Sequence, residues 1–190
     1  MRCCRRLAVL ATAGVMLAAC QTGRGRVVAP GTVAAHHSWL VVDGVPFVAQ
    51  RSERDCGAAA VAMVLRYWGV PADVDGLVAA VPAARGRGLK AGELRELVNA
   101  RGLDAFVVKG EPIDLRTEIE RRRPLIVGTV RRAGRDTLGH YEVVIGFDHA
   151  RGLILTLDPA AGWRESSFED FAVEWAGAQQ VALVVFRRAP

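Results

Sequence analysis

Residues 56–68 (CGAAAVAMVLRYW) are Ala-rich and apolar nearly all round. A helix of this kind has no face to offer water, so it must be buried with other elements packed around it. Asp55 is suited to cap its start, and Gly69 with Pro71 stops it. This one segment requires a domain with a real core. The chain has 190 residues, 51% of them apolar and 24% charged. That is enough for one globular domain and too apolar for a disordered chain. There is no repeat of solenoid length. The formal charge of +5 is misleading, because Arg2, Arg5 and Arg6 supply three of the positive charges. The remainder carries 22 basic and 20 acidic residues. The only dense basic cluster is Arg121-Arg122-Arg123, read as the solvated end of a helix. Nucleic-acid binding, which needs a clustered basic face, is therefore not expected.

Pattern and punctuation place the other elements around this helix. Helices are expected over 73–80, 91–101 and 113–122, the second presenting Leu94, Leu97 and Val98 on one face. Short strands are expected over 103–108 and 125–130, with a polar loop over 131–138. Residues 140–147 alternate, with Tyr141, Val143, Ile145 and Phe147 on one face, and 153–157 is the return strand of a hairpin. A helix over 168–175 is capped by Ser166 or Ser167, and 181–186 closes the sheet. Helices first and an antiparallel sheet second give an α+β domain.

Residues 1–20 read as a secretory signal. A basic start is followed by a 13-residue apolar run, Leu7 to Ala19, too short to cross a bilayer as a helix, which takes about 20 residues. It ends in Leu17-Ala18-Ala19-Cys20, which resembles the lipoprotein box of bacteria. The expectation is a signal peptide over 1–19, a diacylated Cys20, a tether over 20–37 and a domain over 38–190. More than one acyl chain makes a stable anchor. Gln21, not Asp, follows Cys20; in a cell with two membranes this favours the outer one, facing the periplasm. His36-His37 is read as the polar end of the tether.

Cys56 is then the one thiol left in the mature chain, without an intramolecular disulfide partner in an oxidising compartment. Such a cysteine is either buried and inert or retained because it reacts. Its place in the first turn of a helix favours the thiolate. A thiolate nucleophile needs an imidazole beside it, and His140 at the head of the alternating strand is the candidate. If the hairpin turns about Ala150, Val143 faces Leu157, Ile145 faces Leu155 and Phe147 faces Leu153, one consistent apolar set. The same register puts Asp158 diagonal to His140 on its own face, at a spacing of roughly 7–8 Å. Asp148, eight residues along the strand and about 27 Å away, is excluded. Glu142, two residues along on the same face, stays a rival, and Asp136 cannot be placed in its loop.

Gln50 stands six residues before Cys56. Together with PFVAQ (46–50), DCG (55–57), YWG (67–69), GHYEVVIGFD (139–148) and DP (158–159), it resembles the papain-like cysteine peptidases. The narrower resemblance is to the bacteriocin-processing family that cuts after double glycine, and to its stand-alone relatives. It spans residues about 45 to 186. The Pro often found after Cys-Gly is Ala58 here, a change that suits a helix interior. The resemblance implies a papain-like fold, the nucleophile helix packed on the antiparallel sheet. It implies Cys56 as nucleophile, His140 as general base, Asp158 as its orienter and Gln50 in the oxyanion hole. It implies a peptide or protein substrate and neither metal nor organic cofactor. Two alternatives share the motif: an acyltransferase on the same fold, and a papain-like module that only binds.

Overall fold

The computed structural model describes residues 24–133 and 136–187. Cys20 and the signal segment lie outside them. In chain order the elements are β1 (Arg26–Val27), α1 (Pro30–Ala34), β2 (Trp39–Val41), α2 (Cys56–Tyr67), α3 (Val74–Ala79) and α4 (Ala91–Asn99). Then follow β3 (Leu103–Lys109), α5 (Pro112–Glu120), β4 (Leu125–Ala133), β5 (Asp136–Asp148), β6 (Leu153–Asp158), β7 (Gly162–Ser167), α6 (Phe168–Gly177) and β8 (Val181–Arg187). The strands form one antiparallel sheet in the order β1-β7-β6-β5-β4-β8-β3, with β2 added to β5.

The α2 helix is the centre of the molecule. Every residue from Cys56 to Leu65 is buried, as the lack of a polar face requires. Its apolar surface meets Leu94, Leu97 and Val98 of α4 and Val143, Ile145 and Leu157 of the sheet in one cluster. The opposite sheet face is covered separately, by Leu115 and Ile119 of α5 and Phe171 and Trp175 of α6. Both faces are thus buried, which accounts for the unbroken Val143-Val144-Ile145 run in β5. Gly57 lets the start of α2 approach β5: a Cβ there would lie 3.1 Å from Leu94 Cδ2 and 3.2 Å from the Tyr141 ring.

Several sequence expectations are corrected. The polar loop expected over 131–138 is instead the two arms of the β4–β5 hairpin, with Thr129 paired to His140 and Arg131 to Leu138. The charged residue at 131 suggested solvent, yet Arg131 is buried among acidic partners. The β5–β6 register holds at Val143–Leu157 and then slips. A bulge between Val144 and Gly146 pairs Gly146 with Leu155 and Phe147 with Ile154. Val42 N–H donates to the Ile145 carbonyl at 2.7 Å and β2 pairs with β5 from Gly146 onward. Phe147 consequently packs with the second cluster and not with Val143 and Ile145. Asp55 precedes α2 but makes no side-chain cap; its backbone is already helical, at φ −93° and ψ 0°. The last strand, β8, does not close the sheet but lies between β4 and β3.

The expected tether is largely part of the fold. Arg26 and Val27 pair with Glu165 and Arg164 of β7, and Val28 and Val33 are buried in the main cluster. Arg24 N–H donates to Glu174 at 2.5 Å and its guanidinium to Asp170 at 3.0 Å. Gly25 is required for this docking, because a Cβ there would fall 2.8 Å from the Glu165 carbonyl oxygen. The segment lacks a period because it is too short to repeat one. Among the described residues, no helix is long and apolar enough to cross a membrane.

Candidate active site

Cys56 opens α2 at one wall of a cleft of about 550 Å³, whose lining also includes Gly128, Thr129, Leu138, His140 and Tyr141. Cys56 is nearly inaccessible, at 5% exposure. The thiol interacts with the His140 imidazole and with the backbone N–H groups of Tyr141 and Gly57. Thus the helical N–H of Gly57, which a capping Asp55 would have helped to satisfy, acts on the thiol. Burial pushes the thiol pKa up. The His140 bond and charge and the two backbone donors outweigh it, and the thiol titrates below its ordinary value.

His140 lies within β5, opposite Thr129. Its Nε2–H donates to Asp158 Oδ1 at 2.8 Å, which leaves Nδ1 for Cys56. Burial pushes the imidazole pKa down, but the bonds to Asp158 and Cys56 and the nearby Glu142 carboxylate raise it to about 9, against the opposing Arg131 charge. Asp158 is the last residue of β6. Its Oδ1 also accepts from Ala160 N–H at 2.9 Å and its Oδ2 from Arg131 at 2.7 Å. Burial opposes ionisation, yet His140, Arg131 and that N–H hold the carboxyl well below the usual range. Gln50 joins the same corner: its backbone N–H donates to the Pro159 carbonyl at 2.9 Å, and its Oε1 is buried without a partner.

The structure therefore bonds His140 to Asp158, sets Cys56 beside His140 and ties Gln50 to the turn after Asp158. Glu142 does not take the orienting place. It is fully buried behind the site, where it accepts from Thr156 Oγ1 at 2.6 Å, from Thr129 Oγ1 at 3.2 Å and from Arg164 at 3.2 Å. Asp148 is at the far end of the hairpin and organises the turn through Ser38 and Arg151. Sequence reasoning missed Arg131 and Arg164, both buried. The one available signal was strand alternation, which puts Arg131 on the face of Thr129. Among the described residues, no three His, Cys, Asp or Glu side chains converge to hold a metal.

An α+β fold with a buried helix-start cysteine beside an imidazole is the arrangement of a cysteine peptidase of papain-like architecture. The chain belongs to the peptidase C39 family, whose model matches residues 44–189. Similar solved structures include the peptidase domain of Streptococcus ComA, a bifunctional ABC transporter involved in quorum sensing. It is 24% identical at a TM-score of 0.64, over 76% of this chain and all of that one. A putative C39-like peptidase from Bacillus anthracis is 19% identical at 0.63, over 80% and 99%. A double-glycine-motif protease from an AMS/PCAT transporter, solved with a leader peptide, is 24% identical at 0.60, over 76% and 93%. No curated protein matches the chain.

Proposed function

We propose that this peptidase cuts peptide bonds through a Cys56–His140–Asp158 triad. The Cys56 thiolate attacks the peptide carbonyl carbon, forming a C–S bond, and the developing oxyanion is held by Gln50 and the Cys56 N–H. His140 gives its proton to the leaving amine as the C–N bond breaks. Water, deprotonated by His140, then releases the acyl group as a carboxylate. The observation that carries this reading is the imidazole bonded to a carboxylate and interacting with a helix-start thiol at the wall of a cleft. A peptide or protein is the substrate class; the leader peptide held by the AMS/PCAT relative supports it.

The test is the pH dependence of kcat/KM on a peptide substrate selected from a library. The active pair needs a thiolate and an imidazolium together, so activity lies between the two pKa values. The acid limb should fall below about 8.5, the ordinary thiol value. The alkaline limb should fall near 9, where His140 loses its proton. A rise that simply follows an ordinary thiol titration, with no alkaline limb near 9, would contradict the pairing.

We also propose that Cys20 is lipidated and that the enzyme sits on the envelope membrane, the outer one where there are two. With β1 docked, only four peptide links separate Cys20 from the anchored Arg24, at most about 14 Å of extended chain. This would hold the peptidase directly on the lipid surface and not on a long leash. Cys20→Ser should shift the protein out of the membrane fraction or leave it unprocessed. Wild-type protein recovered soluble, with an unmodified N-terminus beyond residue 20, would contradict the anchor.

A further inference from the structure

Behind the catalytic line lies a buried chain of alternating charges. Arg131 Nη1 donates to Asp158 Oδ2 at 2.7 Å, and its Nη2 lies 2.8 Å from Glu142 Oε1. Arg164 continues the chain, touching Glu142 at 3.2 Å and forking onto both oxygens of Glu174 at 2.8 and 3.0 Å. Arg131, Glu142 and Arg164 are all 5% exposed or less. Surface charge pairs are cheap and common, but these five groups come from four strands and a helix and are nearly dry. Breaking one such pair leaves an uncompensated buried charge.

We propose that Arg131 is a positioning residue for the reaction. Its Nη1 holds Asp158 by the oxygen that His140 does not use, so that Oδ1 stays aimed at Nε2, while its Nη2 faces Glu142 as an ion pair without a hydrogen bond. A planar guanidinium can reach two carboxylates at once, where an ammonium supplies one point charge. The same cation sets the electrostatic balance at the imidazole. The charged and titratable groups facing His140 are Cys56 from α2, Arg131 from β4, Glu142 from β5 itself and Asp158 from β6. Arg131 is the one cation among them. It keeps two neighbouring carboxylates ionised and opposes the imidazolium that they favour.

This inference rests on the triad proposed above, and the experiment separates the two. Steady-state kinetics and pH profiles are compared for wild type, Arg131→Met, Arg131→Lys and Asp158→Ala, each shown to be folded by circular dichroism. Arg131→Met should lower kcat by about 10²-fold, the scale of a small misplacement of reacting groups, with little change in KM. Its alkaline limb should move upward, because the cation opposing the imidazolium is gone while both carboxylates remain. Arg131→Lys should keep the limb of the wild type and recover part of kcat. A folded Arg131→Met with the wild-type limb and kcat overturns the proposal, since a purely structural role would leave the limb in place. If Arg131→Met does not fold, Arg131→Lys decides: full wild-type kcat means that the fork is not needed. If Asp158→Ala is itself silent, the triad reading fails and this proposal falls with it. A large loss in Asp158→Ala beside an unaffected Arg131→Met overturns the Arg131 role alone.

Discussion

Cys56→Ala is expected to abolish peptide cleavage and labelling by a thiol-directed peptidase inhibitor. Loss of the nucleophile in a triad enzyme removes about 10⁶-fold in kcat, because His140 and Asp158 have no other group to activate. The fold should survive. Alanine is the strongest helix former, and the missing sulfur borders a cleft, so no closed cavity is left in the core. Melting temperature should therefore stay near the wild-type value while activity disappears. The labelling result is unambiguous, because Cys56 is the free cysteine of the described domain. Cleavage by Cys56→Ala above one-hundredth of the wild-type rate would remove Cys56 from its proposed role.

Asp158→Ala should be the next most damaging change, about 10⁴-fold in kcat, by comparison with loss of the orienting carboxylate in other triads. Three bonds meet at this carboxylate, from His140, Arg131 and Ala160. Removing it frees the imidazole to rotate and leaves the Arg131 cation short of a partner. Breaking a buried pair this way costs about 3–5 kcal/mol, so rates must be referred to the folded fraction. Asp158→Asn keeps an acceptor for Nε2–H and should be milder than Ala, although its amide faces Arg131 less favourably. Glu142→Gln should lower kcat less than Asp158→Ala, because Glu142 makes no bond to His140. Asp148→Ala should lower stability and leave kcat near wild type. A ranking in which Glu142→Gln exceeds Asp158→Ala would transfer the orienting role to Glu142.

Much of the site is legible in the residues because its parts are local. A helix without a polar stripe must be buried, so α2 and the thiol at its start follow from thirteen residues of sequence. Alternation in β5 and the matching apolar set in β6 place Asp158 near His140, and the observed Val143–Leu157 pair agrees. Only the half of the hairpin next to the site mattered for that deduction. The bulge at Ile145 lies beyond it, and it coincides with the docking of β2 and the Val42 bond. These are non-local contacts that no periodicity carries.

Other features depended on tertiary structure for the same reason. Arg131, Glu142, Arg164 and Glu174 read as surface charges one at a time, since a lone charge almost always stays in water. They become interior residues only when four distant segments bring opposite charges together. β1 and β7 likewise have too little pattern to announce themselves, and their pairing exists because Gly25 permits a close approach to β7. Sequence by itself determined which helix is central, which cysteine heads it and which histidine and aspartate share a strand face. Tertiary structure decided how the carboxylate is held and where the chain before residue 38 goes, because both depend on partners more than a hundred residues apart or on charges that are stable inside only in company.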